Sequence, residues 1–189
     1  MSDRPRIGVS ACLLGERVRY DGGDKRDAWL IDVLGPRVEW VPVCPEVEAG
    51  LGTPREPMNL GRDADGRLVL ITDRVRDDLT ATMAGYSERR VDELAASQLD
   101  GYVLKAGSPS CGLDLPVRST RPDAVGAPVA APHVRGLFAA ALTERLPDLP
   151  VADERQLADP GSRDMFVARV FARHRARAAE QRASGLPPT

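Results

Sequence analysis

Three cysteines, Cys12, Cys44 and Cys111, carry most of the chemistry this sequence offers. An odd number at wide spacing describes no disulfide framework, and in a reducing compartment such thiols stay free unless something binds them. A free cysteine is often just a small buried hydrophobe. Here each one sits beside Gly, Pro, Ser or Glu, in Ser10-Ala11-Cys12, Cys44-Pro45-Glu46 and Ser110-Cys111-Gly112, and none lies within an apolar face. Soft thiolates select zinc or iron–sulfur clusters. Structural zinc takes four ligands, often in close Cys-x-x-Cys pairs, and no such pair is present. His133 is a weak fourth ligand and His174 falls in an Arg-rich helix face. Three thiolates without a fourth partner suit a four-iron cluster with three protein-ligated irons and one open iron. A thiol nucleophile or sulfur carrier, using Cys12 or Cys111 beside backbone amides, stays open as an alternative.

Glu46 follows Cys44 by two positions, beyond a proline that fixes the local backbone. A carboxylate beside a soft-metal site is better suited to general-base work on water or a substrate N–H than to ligation. A solvated surface acid is the plainer reading. Ser108 and Ser110 read either as turn formers or as hydrogen-bond donors to a bound substrate. Lys105 reads as a solvated strand-end lysine or as a charge that neutralises an anionic cluster.

The elements that must bring these residues together can be read from periodicity. Ile7 to Ser10, Val38 to Val43 and Gly101 to Lys105 are short strands, each running into a cysteine-bearing turn. Arg67 to Thr72 and Leu149 to Ala152 are further strands. Helices are expected over 25–34, over 73–97 with Gly85 as a weak point, over 133–146, and over 164–180. In the last of these Met165, Phe166, Val170 and Phe171 face inward, with Arg169, Arg173, Arg175 and Arg177 outward. Residues 50–66 and 115–132, rich in Gly and Pro, read as irregular connections. The rhythm implies an α/β fold, a single domain over 5–178 with a mainly parallel sheet flanked by helices, and a C-terminal tail over 179–189. It is Rossmann-like without a dinucleotide fingerprint, since neither G-x-G-x-x-G nor a Walker motif occurs. In an open parallel sheet the C-terminal strand ends share one edge, so all three cysteines can converge there.

Composition narrows the function further. The chain has 189 residues, 42% of them hydrophobic, enough for one ordinary core and too apolar for a disordered chain. Twenty-six Lys and Arg against 28 Asp and Glu leave a formal net charge of -2, which argues against a generic nucleic-acid coat. No signal peptide or spanning segment is legible, so the expected location is the cytoplasm with no membrane partner.

Three motifs then carry a resemblance. Ser10-Ala11-Cys12-Leu13-Leu14-Gly15 with Arg19-Tyr20-Asp21-Gly22, Cys44-Pro45-Glu46-Val47 with Pro54-Arg55, and Ser108-Pro109-Ser110-Cys111-Gly112 resemble, in order, the motifs of the thiouracil desulfurase family. The resemblance covers Arg6 to about Arg173. It implies that Cys12, Cys44 and Cys111 hold a [4Fe-4S] cluster with one open iron, a Lewis-acid site for the sulfur of a thiolated pyrimidine. It also implies that Glu46 is the catalytic carboxylate and Ser108 the active-site serine. The implied reaction is a non-redox desulfuration of a small thiolated base or nucleoside such as thiouracil, in which C=S and water give C=O and sulfide. The alternatives are desulfuration or sulfur transfer on thiolated tRNA nucleosides, with phosphate contacts from the C-terminal arginines, and a non-catalytic iron–sulfur or zinc binding module. A homodimer is left open.

Overall fold

The computed structural model describes residues 4–119 and 133–183. A four-stranded sheet carries the molecule: β1 (Arg6–Ser10), β2 (Glu39–Val43), β5 (Gly101–Leu104) and β9 (Val151–Asp153), ordered β2-β1-β5-β9 and parallel throughout. Pro42 is tolerated because β2 is an edge strand, where a missing N–H costs no ladder bond. The central strand β5 is buried at every position, as expected of a parallel strand covered on both faces.

Strand alternation sorts the core into two layers. Tyr102 and Leu104 point to one face, where they meet Met83, Tyr86 and Leu94 of α2 (Thr80–Ala96) and Phe138 and Leu142 of α3 (Leu137–Arg145). Ile7, Val9 and Val103 point to the other, against Leu30, Leu34, and Phe166 and Val170 of α4 (Pro160–Ala183). The Tyr102 ring lies tilted against Phe138 with centroids 5.8 Å apart. It also lies over Gly8, where an added Cβ would come 2.2 Å from the ring, so β1 and β5 can pair here only around a glycine.

A second layer joins the sheet at the same edge as the cysteines. The antiparallel hairpin of β3 (Met58–Arg62) and β4 (Leu68–Thr72) is extended by β7 (Arg118–Ser119), parallel to β3. Two-residue strands β6 (Leu115–Pro116) and β8 (His133–Val134) pair antiparallel. A one-turn helix, α1 (Pro45–Glu48), follows Cys44 directly.

The strands flanking the cysteines and the parallel sheet match expectation. Several local readings do not. The 50–66 segment is not irregular throughout, because β3 lies inside it. Met58 and Leu60 alternate inward there, a pattern broken to the eye by Pro57 and Gly61. The long helix begins at Thr80 rather than 73, and Val75 is 67% exposed, since Asp78 bridges back to Ile71 before the helix starts. Gly85 does not interrupt it. The helix expected over 25–34 is a π-helical turn, Trp29–Leu34, that tightens into a 3-10 turn over Gly35–Arg37.

His133 lies on β8 rather than on a helix. Met165 is 65% exposed, not inward. Arg173 and Arg177 do not face outward: Arg173 Nε donates to the Leu99 carbonyl at 3.3 Å and Arg177 Nη2 to buried Asp100 at 2.9 Å. α4 continues to Ala183, past the expected boundary at 178. Residues 184–189 of the expected tail and 120–132 of the expected 115–132 connection lie outside the described residues. Among the described residues no helix is long and apolar enough to cross a membrane.

Candidate active site

All three cysteines emerge at the C-terminal edge of the parallel sheet, and their positions follow from three different turns. Cys12 lies in the 3-10 turn Ala11–Leu14 that follows β1, closed by Gly15 at a φ of 92°, a left-handed value that favours glycine. Cys44 is the residue before Pro45, whose fixed φ starts α1. Its backbone N–H donates to Glu48 Oε1 at 2.9 Å, and Tyr86 Oη donates to the other Glu48 oxygen at 2.6 Å. Cys111 sits in the tight turn after β5, where the Ser110 and Cys111 N–H groups donate to Ser108 Oγ at 3.2 and 3.1 Å. Gly136 braces that turn from behind, its Cα so near that a Cβ would meet the Ser110 carbonyl at 2.5 Å.

The three thiols line one cavity of about 350 Å³. Glu46, Ser108 and Lys105 line it too, as does a wall from the hairpin and the 15–23 loop that includes Tyr20, Asn59 and Asp73. The cysteines are near enough to feel one another's charge. Burial pushes Cys12 up to about 11, with the neighbouring Cys44 raising it further and Lys105 pulling it back. Burial also raises Cys44 and, most strongly, Cys111. Free, these groups are neutral thiols at pH 7 and poor nucleophiles. A bound soft metal deprotonates such thiols on coordination.

Among the described residues no three His, Cys, Asp or Glu side chains stand close enough to ligate a single ion. The three thiols are a soft donor set of the kind that selects zinc or iron–sulfur clusters. Neither histidine completes it. His133 is exposed, paired with Asp114 at 2.6 Å, and His174 bonds Asp100 at 3.1 Å, just ahead of the N-terminal end of β5 and so across the sheet from the cysteines. Lys105 is not solvated: its ammonium is held between the Ala106 carbonyl, at 2.6 Å, and Glu154.

Glu46 is no surface acid. Its side chain is 12% exposed, and each carboxylate oxygen has separate partners. Oε1 accepts from Ser110 Oγ at 3.0 Å and Ser108 Oγ at 3.2 Å. Oε2 accepts from Arg55 Nε at 2.9 Å and from Arg55 Nη2. In the sequence Arg55 stands only as part of the second motif, with no role of its own. Its signal was weak, since an arginine in the Gly- and Pro-rich stretch 50–57 reads equally well as a solvated loop cation. Glu154, which bears on the cavity only through Lys105, and the Asn59–Asp73 pair, which lines it, were missed altogether, because tertiary structure alone brings them there.

A family model described as 2-thiouracil desulfurase matches residues 7–154, which takes in Cys12, Cys44, Glu46, Ser108 and Cys111. The uncharacterized protein YbbK of Bacillus subtilis (strain 168) is 32% identical over 113 residues, covering 56% of this chain and 72% of that protein. Among solved structures, the [4Fe-4S]-dependent thiouracil desulfidase TudS superposes with a TM-score of 0.62 at 34% identity, over 82% of this chain and 94% of that one. On the family match and the shared fold, the chain belongs to the 2-thiouracil desulfurase family.

Proposed function

We propose that this chain is a [4Fe-4S]-dependent desulfidase that hydrolyses the thiocarbonyl of a thiolated pyrimidine such as thiouracil. One observation carries the reading: in a chain of this family, three thiols and a buried carboxylate face the same cavity. Cys12, Cys44 and Cys111 would hold the cluster, and its one iron without a protein ligand would supply a soft Lewis acid for the thiocarbonyl sulfur.

The remaining work falls to the chain's own groups. Glu46 takes a proton from a water aimed at the ring carbon, and the hydroxyl oxygen bonds that carbon. The C–S bond then breaks: the sulfur departs as hydrogen sulfide, taking the proton held by Glu46 and the proton of the added hydroxyl, and the oxygen stays as the carbonyl. Atoms balance as C=S plus water giving C=O plus hydrogen sulfide, and no electron is transferred. Ser108 and Ser110 hold Oε1 of Glu46 at the cavity, and Ser108 ties it to the Cys111 turn. Once the carboxylate carries a proton, the Ser108 hydroxyl is free to donate to the developing charge on the substrate.

The test is turnover without a reductant. The chain reconstituted with iron and sulfide under anaerobic conditions is expected to convert 2-thiouracil to uracil and sulfide in equal amounts. A preparation that holds about four irons per chain yet releases neither product would contradict the reading.

A further inference from the structure

Glu46 is held by two sets of donors that divide its oxygens between them. Both serine hydroxyls bond Oε1, and the Nε and Nη2 groups of Arg55 both bond Oε2. The arginine is itself fully engaged. Its Nη1 donates to the Val18 carbonyl at 3.0 Å, the Gly52 carbonyl at 2.8 Å and Thr53 Oγ1 at 3.3 Å. Its backbone N–H donates to the Tyr20 carbonyl at 2.9 Å. The Val18 carbonyl also accepts from Cys44 Sγ at 3.7 Å. Arg55 is 8% exposed on its side chain, so this network is screened little by solvent. One guanidinium thus joins the carboxylate of α1, the 15–23 loop and its own loop around one wall of the cavity.

We propose that Arg55 is the positioning residue of the reaction: by occupying Oε2 and anchoring it to the Val18–Tyr20 segment, it leaves Oε1, beside Ser108 and Ser110, as the oxygen that receives the proton from water. The inference rests on Glu46 being the base. A planar fork fixed at its far end by two carbonyls sets both the direction and the tilt of the carboxylate, which a lysine ammonium cannot do. Loss of that alignment misplaces the base by a fraction of an ångström to an ångström, a displacement that costs on the order of 10²-fold in rate. Arg55 lines the cavity, but its Nε, Nη1 and Nη2 groups are all engaged by the chain itself, so the loss is expected to fall on kcat rather than KM.

The experiment compares Arg55→Ala, Arg55→Lys and Glu46→Gln in anaerobically reconstituted protein, with iron content, kcat and KM for 2-thiouracil measured for each. Arg55→Ala is expected to retain its iron and lose about 10²-fold in kcat, with KM within about threefold. Added guanidinium, which can refill the vacated fork, is expected to restore at least about tenfold of that loss, while ammonium does not. Arg55→Lys keeps one charge without the fork and is expected to fall about tenfold in kcat, so it tests the proposal even where the alanine variant fails to fold. Arg55→Lys or Arg55→Ala with kcat within twofold of the parent overturns the inference. So does a loss in Arg55→Ala that tracks lost iron and that guanidinium leaves unchanged. A Glu46→Gln enzyme that keeps full activity would instead remove the base on which the inference rests, a separate and distinguishable failure.

Discussion

Cys111→Ala, purified and reconstituted without oxygen, is expected to carry no stable four-iron cluster and to show no thiouracil turnover. The substitution removes one of three soft donors, and two thiolates do not hold a cluster whose remaining iron already lacks a protein ligand. It leaves the fold nearly untouched. Ser108 Oγ accepts from the backbone N–H of Ser110 and of residue 111, and the Gly112 N–H donates to the Ser108 carbonyl at 2.7 Å, so the turn stands without the sulfur. The deleted atom leaves a gap of about methyl size in the core, worth about 1 kcal/mol in urea unfolding of the cluster-free chain. Iron and acid-labile sulfide assays check the result. A variant with the parent's full iron content would show that Cys111 is not a ligand.

Glu46→Gln separates the base from the cluster. It keeps the shape and one acceptor oxygen of the side chain while removing the charge that takes a proton from water. General-base catalysis contributes typically about 10²- to 10⁴-fold, so kcat is expected to drop on the order of 10³-fold with iron content unchanged. The same substitution leaves the Arg55 guanidinium buried without its anion, a loss of about 3 kcal/mol by the usual cost of breaking a buried pair. That loss will show as a lower urea midpoint. Stability and rate therefore fall together, but iron retention at working temperature distinguishes a missing base from an unfolded site. Retained activity in Glu46→Gln would assign the proton to another group.

The edge where the cysteines meet was legible because its logic is local. β-branched runs mark the strands, Gly and Pro mark the turns after them, and parallel pairing forces successive C-terminal ends to one side. Cys12, Cys44, Cys111, Glu46 and Ser108 stand in short motifs in chain order, their roles are what the family resemblance implies, and the structure brings all five to one cavity. What escaped the sequence lies between elements. β3 was hidden because Pro57 and Gly61 masked the alternation of Met58 and Leu60. Val75 and Met165 fit a helical period yet are exposed, since period alone does not tell whether a neighbour exists to cover a residue. Arg173 and Arg177 of α4 looked like part of a solvated face until Leu99 and Asp100 supplied acceptors from the far end of the sheet. Arg55 acquires its role, and Ser110 its place as a donor to the carboxylate, only because Glu46 turns inward between them, a contact no spacing in the sequence displays.

In the proposed reaction water, and not a reductant, replaces the sulfur. The most direct test is turnover of 2-thiouracil by the anaerobically reconstituted chain in ¹⁸O-labelled water with no electron donor added. Each uracil formed is expected to carry one ¹⁸O at the carbon that bore sulfur, with one sulfide released per uracil. Unlabelled uracil, or turnover that begins only when an electron donor is supplied, would contradict it.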